Sequence, residues 1–182
     1  MIFGWIFAIA ACAQTAPTQA GLEPPWEMTV VLEQISKDTA RLQPLLDQIA
    51  APAWVEKGAS ETYLSQWQSS KDQAQAITIE AKALARNPEK LSAGLQLLFR
   101  FQGLENLLQS LEDAARRYQS AETAQTLAAT FADSSANRDR FRTYLVNLAA
   151  EREHQFAVMD EEAQRCRALL MTPAPKTSVR KK

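Results

Sequence analysis

Histidine is nearly absent from this chain of 182 residues: only His154 is present, with two cysteines, Cys12 and Cys166, and five glycines. Each scarcity excludes a chemistry. A Ser-His-acid triad would have to use His154, and no serine stands in a sharp glycine-flanked turn of the G-x-S-x-G kind. No glycine-rich phosphate cradle is present. Zinc needs four ligands, which Cys166 and His154 cannot supply. A c-type haem needs C-x-x-C-H, which the sequence lacks. A Met/His haem pair would need Met28 or Met171 beside His154, from which each is many helical turns removed or on the same helix. Glu151 and His154 form one Glu-x-x-His, the spacing of di-iron carboxylate bundles, but the second such pair is missing. Paired acids such as Glu161-Glu162 fall on a helix exterior, too solvated for shifted acid-base work. These residues offer no catalytic, cofactor or metal site, and the chain reads as non-enzymatic.

Charge of one sign is also lacking. Lys and Arg number 20 against 21 Asp and Glu, a formal net charge of -1, so there is no global drive toward nucleic acid. Few glycines, with abundant Ala, Leu, Gln, Glu and Arg, favour helices over sheet. Apolar residues make up 46%, enough for a core, and the length suits one domain plus tails. No internal repeat is evident.

The N-terminal apolar run from Ile2 to Cys12 is shorter than the roughly 20 residues that span a bilayer. It reads as a secretory signal over residues 1–13, with Ala11-Cys12-Ala13 as an A-x-A site cleaved after Ala13. Ile9-Ala10-Ala11-Cys12 also resembles a bacterial lipobox, which implies lipidation of Cys12; Ile9 departs from the usual Leu, and no Lys or Arg precedes the run. The bland alternative is an apolar terminus packed on the domain. Residues 14–27, with three prolines, read as an exposed linker.

From Met28 the pattern predicts a helix burying Val31, Ile35, Leu42, Leu45, Leu46 and Ile49, which Pro44 should kink near residues 40–43 or break, and which ends near Ala50. Trp54 is expected to plug one end of the core. Ser60 should cap a second helix whose inner face is Tyr63, Trp67, Ser70, Ala74, Ile77, Ala81 and Leu84, ending at Arg86-Asn87-Pro88. Residues 88–118 form the spine. Leu91, Leu95, Leu98, Phe101, Leu104, Leu108, Leu111, Ala115 and Tyr118 alternate at three and four, and Leu97, Leu107 and Ala114 widen the stripe. A short helix spans about 120–132, with Ala124, Leu127, Ala128 and Phe131 inward.

The last helix runs from about Ala136 to Met171 with Phe141, Leu145, Leu148, Arg152, Phe156, Met159, Ala163, Cys166 and Leu170 on its inner face. Arg152 interrupts that seam and calls for a carboxylate, with Glu80, Glu105 and Glu151 as candidates. Cys166 reads as a small buried apolar residue. Residues 172–182 are a basic, disordered tail. The expected fold is all-α: an up-down four-helix-type bundle over 28–171, with a Pro-kinked first helix and one short extra helix.

Two functional readings follow. The first is an exported, non-catalytic scaffold or interaction protein of the bacterial cell envelope, touching membrane only through a lipid on Cys12 and not binding nucleic acid; its protein partner is unknown. The second is a binder of small apolar ligands, in a cavity near Trp67 or Phe101. Arg116, Arg117, Arg138, Arg140 and Arg142 form a candidate anion patch, if the short helix folds across one end; Asp133 and Asp139 stand close enough to neutralise it.

Overall fold

A computed structural model describes residues 22–171, whose regular elements are all helices, with no strand among the described residues. The helices are α1 (Pro25–Ala40), α2 (Leu42–Asp47), α3 (Ala51–Glu56), α4 (Thr62–Leu84), α5 (Leu91–Tyr118), α6 (Ala121–Ala132) and α7 (Ser135–Met171). Residues 1–13, with Cys12, and 172–182 lie outside the described residues.

Proline placement decides where the first part breaks. A proline lacks the N–H that a helix interior needs, but the first-turn amides have no partner within the helix, so a proline is tolerated there. Pro25 is the first residue of α1, so the helix starts three residues before Met28 and the expected linker ends earlier than residue 27. Of the kink or break expected near residues 40–43, the break is what occurs: it falls at Arg41, whose N–H bonds to Asp38 and Thr39 carbonyls, and Pro44 then falls in the first turn of α2. Pro52 likewise falls in the first turn of α3, a helix the periodicity did not suggest. Gly58, at φ 88°, ends α3 in the left-handed conformation, with Ala59 N–H bonded back to the Trp54 carbonyl at 3.0 Å. Trp54 is buried and meets the rings of Tyr63 and Tyr118 at 6.3 and 6.4 Å, closing one end of the core.

Two helices start later than expected. α4 begins at Thr62, and the Ser60 hydroxyl accepts from the Thr62 N–H at 3.2 Å. α5 begins at Leu91 rather than Pro88, because Asn87 to Lys90 form a turn closed by Lys90 N–H to the Asn87 carbonyl.

The helices pair antiparallel where their contacts give direction. Thr29 Oγ1 donates to the Ala85 carbonyl and Ser36 Oγ to the Thr78 carbonyl, so α1 and α4 run in opposite senses. α4 and α5 do likewise, with Ser110 Oγ on Gln66 and Arg100 on Glu80 at 2.8 Å each. Between them lie Ala74, Ile77, Ala81, Leu97, Leu104, Leu108 and Leu111, all buried. The inner face of α5 is therefore rotated at its start: Gly94 and Leu97 are buried, whereas Leu95 is exposed and Leu91 and Leu98 are half-buried. Gly94 lets α7 come close, since a methyl there would collide with the Leu145 side chain. α6 is capped by Ser120, whose hydroxyl accepts from Thr123 N–H at 3.0 Å, and packs back along α5.

α7 has 37 residues and follows the body only in its first half. Phe141, Tyr144, Leu145 and Leu148 are buried against α1 and α5; from Arg152 onward every described residue is exposed. The seam expected to run to Leu170 thus stops at Leu148. The reason is length: α5 begins at Leu91, one turn from Gly94 beside Leu145, so the body offers no surface beyond.

Candidate functional site

Twenty residues of α7, Arg152 to Met171, project about 30 Å past the turn joining α4 to α5. The face that buries Phe141, Leu145 and Leu148 continues along this projection as Phe156, Met159, Ala163, Cys166 and Leu170. Phe156, Met159 and Leu170 are 70%, 60% and 86% exposed, so a face of this size is held in water. Cys166, expected to be buried, is exposed there with a free thiol.

Arg152 marks the point where the body ends. It is exposed, and its guanidinium reaches Glu89 at 3.7 Å and the Gln155 side chain at 3.1 Å. None of Glu80, Glu105 and Glu151 is its partner. Glu80 holds Arg100, and Glu151 accepts from Gln155 at 2.7 Å. The expected carboxylate is therefore present, but it is Glu89, and the guanidinium it faces is exposed rather than buried in a seam. His154 is exposed as well. Among the described residues no group of three or more His, Cys, Asp or Glu is placed to hold a metal ion, and no described helix is long and apolar enough to cross a membrane.

The five bases of the candidate anion patch do not gather. Because α6 lies back along α5 rather than across its end, α7 starts beside the middle of α5, while Arg116 and Arg117 stay at its C-terminus. Arg116 pairs with Asp113 at 3.2 Å. Arg140 is taken by Glu23 and by Glu27, the latter at 2.7 Å, and these carboxylates raise its pKa further. Arg138 and Arg142 do share a cleft of about 250 Å³ between α5 and α7, with Phe101, Gln102, Glu105 and Ser135. Arg142 is paired with Asp139 at 3.2 Å. Arg138 lies over the Phe131 ring at 3.7 Å and donates to the Phe131 carbonyl at 3.3 Å. Burial lowers its pKa and Glu105 opposes that. The cleft thus holds acids and bases together, with the most buried base already engaged by protein groups.

The two aromatics expected near a ligand cavity do not share one: Phe101 lines the mixed-charge cleft with Arg138, and Trp67 lies in a separate surface hollow with Leu64 and Gln68. Trp67 donates its indole N–H to the Leu46 carbonyl at 2.6 Å and lies under Lys71 Nζ at 4.9 Å. Phe101 is buried in the core. Sequence reasoning placed Phe156, Met159 and Leu170 on one face with Leu145 and Leu148, but assigned that face to the core. The shortness of the body at the α4–α5 turn was the missing information. The chain matches no family model, no curated protein and no solved structure.

Proposed function

We propose that the protein is a non-catalytic interaction or scaffolding component of the bacterial cell envelope, in which an up-down helical bundle serves as the mount for the projecting half of α7. Residues 1–13 direct export in this reading, either by cleavage after Ala13 or by cleavage before Cys12, which then becomes the point of lipid attachment. The antiparallel pairings of α1 with α4 and α4 with α5 support the up-down arrangement.

One observation carries the interaction reading. The helix face that holds the body together at Phe141, Leu145 and Leu148 continues past it as Phe156, Met159, Ala163, Cys166 and Leu170, exposed to solvent. An apolar side chain of this size gains roughly 1.5–3 kcal/mol on full burial, so the face is a standing source of binding energy. Crosslinking in the native envelope tests the reading. A Phe156→Glu, Met159→Glu variant should keep its melting temperature, because neither side chain is buried in the body, and lose its crosslinked adducts. An unchanged adduct pattern would overturn the proposal.

A further inference from the structure

We propose that the projecting half of α7 pairs antiparallel with the same segment of a second copy of this chain. The inference rests on the interaction reading above and names its partner.

The stripe has the right spacing. Phe156, Met159, Ala163, Cys166 and Leu170 stand at steps of three, four, three and four, the alternation that lets two helices interlock along a shared seam. From Phe156 to Leu170 the seam is about 21 Å long. An interface of two heptads falls at the small end of specific interfaces, so the pairing is concentration-dependent rather than permanent.

The body decides the orientation. At Phe141, Leu145 and Leu148 the seam face is covered by α1 and α5 of the same chain. In a parallel pair, both bodies would have to occupy the space between the two helices. Reversing one copy puts the bodies at opposite ends and brings each helix tip toward the other body's α4–α5 turn.

Charge fits the same arrangement. Residues 151–162 carry Glu151, Glu153, Asp160, Glu161 and Glu162 against the one base Arg152, whereas residues 163–171 carry Arg165 and Arg167 and no acid. Antiparallel apposition lays each acidic stretch over the basic stretch of the other copy. Asp160 and Arg167 lie seven residues apart on the same side of the seam, so Asp160 meets Arg167 of the partner subunit and Arg167 is met in turn. The net acidity of 151–162 also opposes docking on an anionic lipid surface.

Sedimentation equilibrium of the full chain, and of the chain without residues 1–13, decides the matter; reductant keeps Cys166 from forming adventitious covalent dimers. Both forms should pass from one to two chains per particle as concentration rises through the micromolar range. Met159→Glu or Leu170→Glu should hold the protein monomeric with its melting temperature unchanged. Ala163→Leu, which adds buried carbons at the middle of the seam, should tighten association tenfold or more. Asp160→Arg and Arg167→Asp should each weaken it, and the two together should restore it.

A monomer at every concentration overturns the second-copy proposal, as does failure of the charge swap to restore association. So does a full chain that is monomeric until residues 1–13 are removed, which would show the apolar N-terminal run to be the occupant of the stripe. If Met159→Glu still alters envelope crosslinks in a monomeric protein, the interaction reading survives without the dimer. If it alters neither mass nor crosslinks, both fail.

Discussion

Two glycines of α5 make opposite predictions from one substitution. Glycine in a helix interior costs about 1 kcal/mol relative to alanine, so Gly→Ala is stabilising wherever the methyl has room. At Gly94 it has none. The new Cβ would overlap Cδ2 of Leu145, with Leu145 Cγ at 3.5 Å, and Leu145 is itself only 2% exposed. Forcing extra carbon into a filled core costs about 1–3 kcal/mol. Set against the propensity gain, Gly94→Ala should destabilise the protein by about 1 kcal/mol. At Gly103 the nearest atoms are the amide oxygen and nitrogen of Gln73 at 3.2 and 3.3 Å, the far end of a half-buried side chain that can swing by a few tenths of an ångström. Gly103→Ala should therefore stabilise, by roughly 0.5 kcal/mol.

Urea denaturation of both variants reads these values, and a double-mutant cycle isolates the contact. Leu145→Ala alone should cost about 2–5 kcal/mol. In that background the methyl at position 94 fills space instead of contesting it, so Gly94→Ala should change sign and stabilise. If Gly94→Ala destabilises equally with and without the Leu145 side chain, the close approach of α5 and α7 is not what requires glycine, and the account of how α7 is seated is wrong.

Ser120→Ala removes the hydroxyl that accepts from Thr123 N–H, and should cost about 1 kcal/mol in the same assay; Ser120→Asp should retain most of the stability. The Asp47 carboxylate is held below the usual carboxylate range by its hydrogen bond to Lys71 at 2.6 Å. A lowered folded pKa means that the pair's contribution is present above the unfolded pKa and is lost as pH falls through the folded one. Lys71→Gln should accordingly be less stable than wild type at neutral pH, and the gap should close as pH is lowered through the acid range. A gap that widens with acidification would contradict the assignment.

The helical register was legible in the sequence wherever one helix has one large neighbour. The 4-3 spacing of α4 from Ser70 to Leu84 is buried as read, and so is the α5 stripe from Phe101 to Leu111. Periodicity alone failed to choose between a kink and a break at Pro44, since the spacing suits both; the chain breaks at Arg41 and restarts the helix around that proline. It failed again at Leu95 and Leu98, because α7 approaches α5 from the side opened by Gly94. A glycine at a close helix crossing is a sequence signal, but in a chain read one helix at a time it is indistinguishable from a tolerated imperfection.

The largest departure, the exposure of α7 beyond Leu148, follows from the same limit on a larger scale. Hydrophobic spacing states that a face will be covered and is silent on what covers it. For Phe141, Leu145 and Leu148 the cover is α1 and α5; for Phe156, Met159 and Leu170 the pattern is unchanged, but they lie beyond Leu91, where α5 begins. A surface helix held only as an extension of the body would be expected to replace those positions with polar residues, since exposing Phe156 and Leu170 contributes nothing to folding. Arg152 is the one such replacement on the seam, and it sits where the body stops and Glu89 is in reach. The return to apolar residues immediately after it is what the proposed interface accounts for and a mere overrun of the helix does not; on that proposal the cover for the surface is another molecule.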